Sequence, residues 1–304
     1  MTVRIHPRVR AALRAGGGVV ALESTVVTHG LPRPQNLELA RSLEAAVAEA
    51  GAVPATVGLV KGELTVGLDD AELERLATEP ADKASLWNLA GLAASGRTAG
   101  TTVAATLHAA NQAGVQVFAT GGIGGVHPAP FDESADLRAL ARNRVITVCS
   151  GPKSVLDAGA TLERLETLGV PVLGYRSNKL AGFYIPETDW PLPLRCNDAK
   201  EIAALYNAQA SLGLAAGPLV SKPVSKGLEP AQLHRWTEQA QREAVDNGIA
   251  GKDLTPFLLA RLAQLSDGRT VTVNLRLLEE NARLAAQIAL ALAAGRQARR
   301  LTQV

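Results

Sequence analysis

Short apolar runs alternate with longer amphipathic segments along most of the 304-residue chain. The apolar runs are four or five residues long, rich in valine and close to glycines, as is typical of buried strands. They cover residues 19–22, 115–119, 144–148, 170–174 and 218–221. Strands that alternate with helices in this way predict an α/β fold with a mostly parallel sheet.

Apolar positions spaced three and four residues apart predict helices between these strands. Residues 36–50 have such a face, and Asp69 and Glu72 form a capping box for a helix over 70–77. The other predicted helices cover 7–14, 100–113, 154–168, 199–212, 229–246, 255–265 and 273–294. The last three follow one another without a strand, and no linker interrupts the chain. We therefore expect one domain over residues 1–304 with a helical carboxyl-terminal part.

Two segments depart from the alternation of strands and helices. Residues 56–60 and 63–67 are strand-like and are separated by Lys61 and Gly62, a pair typical of a two-residue hairpin turn. The sequence therefore predicts one antiparallel hairpin within the parallel sheet. Residues 175–197 read as a long irregular loop that carries Phe183, Tyr184 and Trp190, which indicates a functional loop such as a lid.

Small-residue loops follow two of the predicted strands, at residues 120–125 and 150–153. Parallel strands end at a common edge of the sheet, where open α/β sheets bind ligands. We therefore expect the glycines of the first loop and the Lys153 amine of the second to face one crevice. The first loop lacks the third glycine of GxGxxG and the ending of a P-loop, which argues against dinucleotides and nucleoside triphosphates.

A phosphate group is the ligand that the first loop suits best, because oriented amides bind anions. We expect Thr120, Gly121 and Gly122 to contact it together with Lys83. The start of the predicted 100–113 helix offers a second set of amides for the same role. The sequence does not decide between these two sets.

Acidic residues are expected at the same edge of the sheet. Residues 132–136 offer three carboxylates and a hydroxyl, which suit a cation or sugar hydroxyls. Glu23 directly follows the 19–22 strand, where a carboxylate is a candidate general acid or base. The alternative for Glu23, a structural residue bonded to the backbone, remains open.

Charge and cysteine content argue against several classes of protein. The formal net charge is +2 and the basic residues are dispersed, so we expect no nucleic-acid partner. No run of 18 uncharged apolar residues and no signal-peptide pattern occur, so we expect a cytoplasmic protein without a membrane partner. Cys149 and Cys196 lie outside any CxxC motif, which argues against a disulfide framework or a zinc site.

Several longer motifs resemble those of the pseudouridine-5′-phosphate glycosidase family, whose members are also called pseudouridylate synthases. They read ALESTVVTHGLPRPQN, GAVPATVGLVKGELTVGL, GTTVAAT, FATGGIGGVH, SADL, GPKSVLD, TPFLLARLAQL and VNLRLLEENARLAA. The resemblance implies a three-layer α/β/α fold and a homotrimer with one Mn²⁺ per subunit. It also implies reversible cleavage of the C–C glycosidic bond of pseudouridine 5′-phosphate, which gives uracil and ribose 5-phosphate.

The resemblance implies a role for each residue that matches a family motif. Lys153 would be the nucleophile, Glu23 the proton donor and Asp132 the metal ligand. Substrate contacts are implied for Lys83, Val103, Ser134, Ala135, Asp136 and Asn274. The chain departs from the family at Pro152, where alanine is usual, and in the segment after Lys83 and the acidic loop 127–133.

Two other functions remain open on the sequence alone. One is a Schiff-base lyase or aldolase that acts on a different phosphosugar, and the other is a non-catalytic phosphosugar-binding module. Lys153 would serve a nucleophilic role if the start of a helix at 154 keeps its amine uncharged. Otherwise it would pair with phosphate or with Asp136. For a trimer, the alanine-rich helical face 284–294 is the predicted source of subunit contacts.

Overall fold

The computed structural model describes residues 3–128, 132–251 and 254–301, with the side chains of 298–301 excepted. Its strands are β1 (Arg4–Ile5), β2 (Val19–Leu22), β3 (Val53–Val60), β4 (Glu63–Val66), β5 (Asp82–Ala84), β6 (Ala99–Thr101), β7 (Val117–Ala119), β8 (Ile146–Cys149), β9 (Val172–Tyr175), β10 (Leu194–Cys196) and β11 (Leu219–Ser221). Its helices are α1 (Pro7–Arg14), α2 (Thr25–His29), α3 (Gln35–Glu49), α4 (Asp70–Thr78), α5 (Leu89–Ala94), α6 (Val103–Ala113), α7 (Ala135–Arg142), α8 (Ala158–Thr167), α9 (Ala199–Ser211), α10 (Pro230–Asp246), α11 (Leu254–Leu265) and α12 (Arg269–Leu301).

The strands form one sheet in the order β1-β4-β3-β2-β7-β8-β11-β9-β10, and β6 pairs with both β3 and β5. Within the described residues, the pairs β3–β4 and β3–β6 are antiparallel, and the other strand pairs are parallel. The prediction of a mostly parallel sheet with one hairpin is confirmed. Lys61 and Gly62 form the hairpin turn with φ angles of 49° and 82°, as a two-residue turn requires.

Both faces of the sheet are buried, which explains why its strands are apolar without alternation. In β2, Val20 and Leu22 belong to one core and Val19 and Ala21 to the other. The first core is completed by α3, α9 and α12, and the second by α1, α6, α7 and α8. Two layers of helices therefore enclose the sheet, and the predicted three-layer α/β/α fold is confirmed.

The predicted elements differ from the structure in several places. Lys83 lies on β5 and not in a polar turn, and residues 99–101 form β6 and not the start of a helix. The short helix α2 directly after Glu23 was not predicted. Residues 194–196 form β10 within the predicted loop 175–197. The missed strands have three residues each, too few to show a hydrophobic period.

The alanine-rich face of α12 lies inside the subunit. Leu284, Ala285, Ile288 and Leu292 are at most 4% exposed, and they belong to the core that α12 closes against the sheet. The prediction that the face 284–294 supplies subunit contacts is therefore wrong. Alanines on this helix allow it to approach the sheet closely. At Gly18, just before β2, an added Cβ would lie only 3.0 Å from the backbone of Ala289.

None of the helices in residues 3–128, 132–251 and 254–301 has both the length and the apolar character that a membrane crossing requires.

Candidate active site

The loops after β7 and β8 are paired with each other by backbone hydrogen bonds. The Ser150 amide donates to the Gly121 carbonyl at 2.9 Å, and the Ile123 amide donates to the Gly151 carbonyl at 3.2 Å. The Lys153 amide then donates to the Ile123 carbonyl at 3.1 Å. The parallel ladder thus continues past the ends of both strands. It fixes Lys153 beside the glycine loop, as the sequence predicts.

Glycines in these two loops allow a close approach of residues 175–197. Gly151 has a φ of +88°, and an added Cβ would lie 2.0 Å from the Ala181 carbonyl oxygen. A Cβ on Gly122 would lie 2.6 Å from the Phe183 ring. The Phe183 amide also donates to the Ser150 carbonyl at 2.8 Å. The predicted lid segment is therefore packed directly on the two loops.

Glu23 is held at the carboxyl end of β2 by its neighbours. The buried Ser24 hydroxyl donates to the Val57 carbonyl at 2.5 Å and accepts from the Thr101 amide at 2.9 Å. The Thr120 hydroxyl donates to the Glu23 carboxylate. Strands β2, β3, β6 and β7 therefore all contribute to the position of this side chain.

The Glu23 carboxyl interacts with four other residues of the predicted site. Burial raises the pKa of the half-buried Glu23 carboxyl above its ordinary value. The positive charge of Lys153 opposes this rise most strongly, followed by the Thr120 hydrogen bond, while Asp136 adds to it and Lys83 opposes it. Glu23 thus interacts with both lysines, and its raised pKa means that it keeps its proton to a higher pH than an ordinary carboxyl, as suits a proton donor.

Lys83 lies on β5, opposite Gly100 of β6. Its side chain is exposed, and its charge also acts on a histidine of α2. The pKa of His29 is lowered by burial first and by Lys83 second, while Asp82 acts in the opposite direction. The amine of Lys83 is therefore near both α2 and Glu23, on the exposed side of the site.

Asp136 fixes the glycine loop to α6. It is 6% exposed, and its two carboxylate oxygens accept from the Ala104 amide at 2.9 Å and the Gly124 amide at 2.8 Å. The Ser134 hydroxyl in turn accepts from the Asp136 amide at 3.2 Å. An amide in the first turn of α6 is thus bonded to protein. This weakens the alternative in which the start of that helix binds the phosphate.

The other predicted substrate contacts lie around the same loops. Val103 is the buried first residue of α6, and Ala135 is the exposed first residue of α7. Asn274 is a half-buried residue of α12, and its side-chain oxygen would lie 3.4 Å from a Cβ added to Gly121. Thr120, Gly121 and Gly122 are themselves buried. Direct contact of these residues with a substrate stays a prediction.

The acidic segment does not act as one group of three carboxylates. Glu133 pairs with Arg164 at 2.9 Å, and Asp136 is bonded to backbone amides. The described residues contain no cluster of three histidine, cysteine, aspartate or glutamate side chains that could hold a metal ion. Asp132 is half-buried, and residues 129–131 of the acidic loop lie outside the described part. A single carboxylate fits a hard cation only if the cation keeps most of its waters.

Lys153 is not at the start of a helix. Helix α8 begins at Ala158, and the Asp157 side chain caps it by accepting from the Ala160 amide at 2.9 Å. The prediction of a helix from residue 154 is therefore wrong. The positive end of α8 is not available to keep the Lys153 amine uncharged. The charge of Lys153 does act on the Glu23 carboxyl, whose pKa it lowers.

The comparison with known proteins gives the family of the chain. The family described as "Indigoidine synthase A like protein" matches residues 8–291. The chain belongs to this family.

Relatives of this indigoidine synthase A-like chain include proteins named pseudouridine-5′-phosphate glycosidase. The one from Thermus thermophilus is 58% identical over 274 residues, which cover 90% of this chain and 97% of the relative. The one from Salinispora tropica is 51% identical, with 93% of this chain and 90% of the relative covered. The resemblance to that group is confirmed.

Two solved structures have the same fold as the indigoidine synthase A-like chain. One is the prealnumycin C-glycosynthase AlnA in complex with ribulose 5-phosphate, at 36% identity and a TM-score of 0.91, covering 98% of this chain and 99% of that one. The other is an indigoidine synthase A-like protein from Thermotoga maritima, at 36% identity and a TM-score of 0.88, covering 96% and 97%. The architecture is therefore shared over nearly the whole length.

The structure adds one residue to the site that the sequence reasoning missed. Asn281 of α12 is fully buried, and its amide donates to the Thr120 carbonyl at 2.9 Å and the Ser150 hydroxyl at 3.1 Å. The signal was present in the sequence, because Asn281 is an uncharged polar residue seven positions after Asn274 on a helix with an apolar face. Two turns of helix place both asparagines on the side that meets the loops.

A half-buried ion pair joins the end of β11 to α12 beside the site. Lys222 follows β11 and contacts Glu280 at 2.6 Å, with side chains 14% and 22% exposed. Ser225 donates to the same carboxylate from its hydroxyl and, at 3.2 Å, from its amide. Burial acts to raise the pKa of Glu280, but the hydrogen bonds from Lys222 and Ser225 outweigh it and lower the pKa.

We expect Glu280→Gln to lower the free energy of unfolding by about 1.5–3 kcal/mol at neutral pH, because a hydrogen bond to a charged partner is lost. The Glu280 pKa is lowered on folding, so this stability is present above the unfolded pKa of about 4.3 and is lost as the pH falls through the folded pKa. Urea unfolding at neutral pH and near pH 3 measures both values.

The neighbouring variant Glu279→Gln is the matched control. Glu279 pairs with Arg283 at 3.0 Å, but the two side chains are 46% and 44% exposed. An exposed pair is worth less than about 1 kcal/mol. Equal losses in the two variants would contradict a special role for the Glu280 pair.

The two cysteines of the indigoidine synthase A-like chain are free and buried. Burial raises the pKa of Cys149 to about 12, so its thiol is not ionised at neutral pH. A buried thiol that stays protonated is a poor nucleophile, so Cys149 is not assigned that role.

Proposed function

We propose that the chain catalyses reversible cleavage of the C–C glycosidic bond of pseudouridine 5′-phosphate to uracil and ribose 5-phosphate. One observation of the site carries this proposal: a half-buried carboxyl with a raised pKa, Glu23, interacts with two lysines, Lys153 and Lys83, at one edge of the sheet. The relatives that bear this enzyme's name match the chain over nearly its full length and support the same function.

The bond to be cleaved explains why an amine is needed beside the acid. A C–C glycosidic bond has no leaving oxygen that an acid can protonate, so two carboxylates are not enough. An amine that adds to C1′ supplies the missing electron pair. In the described site Lys153 is the lysine whose backbone is fixed to the glycine loop, and we assign it this role.

The proposed reaction begins with opening of the ribose ring. The C1′–O4′ bond breaks, O4′ takes the proton of the Glu23 carboxyl, and the Lys153 nitrogen bonds to C1′ and loses a proton. The C1′–C5 bond then breaks as C5 of uracil takes a proton, and the nitrogen lone pair forms an iminium with C1′. Water hydrolyses the iminium to ribose 5-phosphate and the free amine. Glu23 is placed to give the first proton and to move the later ones.

The phosphate is proposed to lie between Lys83 and the glycine loop. Lys83 is exposed on the open side of the site and supplies a flexible positive charge. The first-turn amide of Ala104 is bonded to Asp136, so the loop at residues 120–122 is favoured over the start of α6. We expect unphosphorylated pseudouridine to be cleaved with a kcat/KM at least about 100-fold lower, because two hydrogen bonds to a charged group are lost.

Uracil release from pseudouridine 5′-phosphate, followed by chromatography, tests the proposed function. The same protein is assayed on pseudouridine and on a panel of phosphosugar aldol substrates. Release of uracil from the monophosphate supports the proposal. Turnover of the aldol panel alone would instead indicate a Schiff-base lyase, and ribose 5-phosphate binding without any turnover would indicate a binding module. Equal cleavage of both nucleoside forms would contradict the phosphate assignment.

A C-glycoside-forming enzyme with another acceptor is the second candidate. The observation that favours it is the likeness to prealnumycin C-glycosynthase AlnA at a TM-score of 0.91. Its sequence identity of 36% is lower than the 58% found with a glycosidase, so we rank it second. Incubation with ribose 5-phosphate and either uracil or a polycyclic aromatic acceptor separates the two, because the first candidate forms pseudouridine 5′-phosphate.

We propose that Asp132 holds a divalent cation, preferably Mn²⁺, with water as the other ligands. Glu133 and Asp136 have protein partners, whereas the chemistry of a carboxylate with a few waters suits a hard cation. When bound, the cation would supply positive charge to substrate oxygens. We expect Asp132→Asn to weaken Mn²⁺ binding measured by electron paramagnetic resonance, and Glu133→Gln to leave it unchanged. Equal binding in both variants would contradict the assignment.

We propose that the protein is a homotrimer in the cytoplasm, with one Mn²⁺ per subunit. The family resemblance supports the trimer, and two adjacent exposed apolar residues, Leu86 at 38% and Trp87 at 82%, suit a subunit contact. Light scattering of the wild type should give the mass of three chains. A stable monomer at working concentration would contradict this proposal.

A further inference from the structure

One buried side chain joins α12 to both loops of the site. Asn281 donates to the Thr120 carbonyl at 2.9 Å and approaches the Gly121 carbonyl at 3.5 Å. It also exchanges hydrogen bonds with the Ser150 hydroxyl, at 3.1 Å from its nitrogen and 3.4 Å from its oxygen. The side chain is 0% exposed, so all of its polar atoms depend on these partners.

Each residue that Asn281 contacts is in turn linked to a proposed reacting group, either by a hydrogen bond or by the chain. The Thr120 hydroxyl donates to the Glu23 carboxylate. Ser150 begins the four-residue loop that ends at Lys153, and its amide is paired with the glycine loop. Asn281 thus contacts Thr120, which binds the Glu23 carboxylate, and the loop that carries the Lys153 amine.

We propose that Asn281 is a positioning residue that sets the distance between the Glu23 carboxyl and the Lys153 amine, acting through Thr120 and Ser150. An asparagine suits this role because its amide donates to a carbonyl and a hydroxyl while its oxygen accepts from the same hydroxyl. An apolar side chain of similar size would leave the Thr120 carbonyl without its bond and free the two loops to shift.

The kinetic test of this role rests on the proposed function. In Asn281→Leu we expect kcat to fall about 10–100-fold with KM within about threefold, because a shift of about 1 Å in reacting groups costs about 100-fold. The pH profile gives a second readout. Activity needs protonated Glu23, so kcat/KM falls as the pH rises through its pKa. The hydrogen bond from Thr120 lowers the pKa of Glu23. Its loss therefore moves the falling limb of the kcat/KM profile, on the high-pH side, to higher pH.

The other charges that act on Glu23 stay in place in this variant. These are Lys153, Lys83 and Asp136, and leucine adds no charge of its own. A shift of the limb therefore reports the Thr120 contact. Hydrogen exchange provides a readout that does not depend on turnover: peptides that cover 120–125 and 150–153 should exchange faster in the variant than in the wild type.

Asn143→Leu is the matched control. Asn143 is 7% exposed, and its amide donates to the Ala139 carbonyl at 2.8 Å, at the far end of α7 from the site. We expect it to lower the melting temperature without moving the pH limb or the exchange of the two loops. An unmoved limb and unchanged loop exchange in Asn281→Leu, or equal changes in Asn143→Leu, would overturn the inference. If the wild type releases no uracil, the proposed function fails and the exchange data alone decide the role of Asn281.

Discussion

Lys153→Arg is expected to lower kcat for uracil release by more than about 1,000-fold while the fold is kept. Arginine retains the positive charge, but it offers no nucleophilic amine at neutral pH. A positive charge still lies beside the Glu23 carboxyl in this variant. The variant therefore separates the covalent role of Lys153 from its electrostatic role. The steady-state rate and the thermal unfolding curve of the variant measure the two effects separately.

Borohydride trapping locates the covalent bond on one residue. Added during turnover, it should reduce the iminium to a secondary amine and leave a ribose 5-phosphate adduct on the peptide with Lys153. Lys179→Arg is the control, because Lys179 is exposed and forms an ion pair with Asp189 at 3.4 Å. An active Lys153→Arg enzyme, or an adduct that maps to Lys83, would contradict the assignment.

Glu23→Gln is expected to lower kcat about 100- to 10,000-fold, the range for loss of a general acid. The wild-type kcat/KM should fall as the pH rises through the raised pKa of Glu23, and this limb should be absent in the variant. Glutamine can still accept from the Thr120 hydroxyl, so the local geometry is retained. The pH profile of both proteins, measured with the same substrate, checks the prediction.

The variant Glu23→Gln, although expected to lose activity, is not expected to lose stability at neutral pH. The Glu23 pKa is raised on folding, so its contribution to stability is full below the unfolded pKa of about 4.3 and is lost as the pH rises through the folded pKa. Glutamine carries no charge, so Glu23→Gln should be as stable as the wild type or more stable at neutral pH. Loss of stability there would contradict a raised pKa.

Glu44→Gln is the matched control for both measurements. Glu44 is a half-buried carboxylate that accepts from the Thr56 hydroxyl at 2.5 Å, as Glu23 does from Thr120, but its ion-pair partner is Arg8 of α1. We expect its kcat and its pH profile to equal those of the wild type.

The layers of the fold and the position of the site could be predicted because local signals were strong. Buried strands with glycines at their carboxyl ends predicted the edge where Glu23 and Lys153 meet. The strand of Lys83 could not be predicted in this way. It has three residues, and its stability comes from pairing with β6, which is 17 positions further along the sequence.

The role of Asp136 shows a second limit of sequence reasoning. Three nearby carboxylates predicted a cation site, but both Asp136 oxygens accept from backbone amides 32 and 12 positions away. Backbone amides carry no signature in a sequence, so such partners are visible only in the fold. The start of α8 was misplaced for a related reason, because Ser154 and Asp157 are both suitable caps and only Asp157 is used.

Helix α12 follows all the strands β1 to β11 in the sequence, and this order has a consequence for protein synthesis. This helix closes one face of the sheet and contacts the site loops through Asn281. While α11 and α12 are still within the ribosome, that face of the nascent sheet lacks part of its cover, and only the earlier helices such as α3 and α9 can pack on it. At roughly 5–20 residues per second, the 254–301 segment takes roughly 2–10 s to make. During this interval the emerging chain exposes the apolar surface that α12 later buries, and the site loops lack their contact with Asn281.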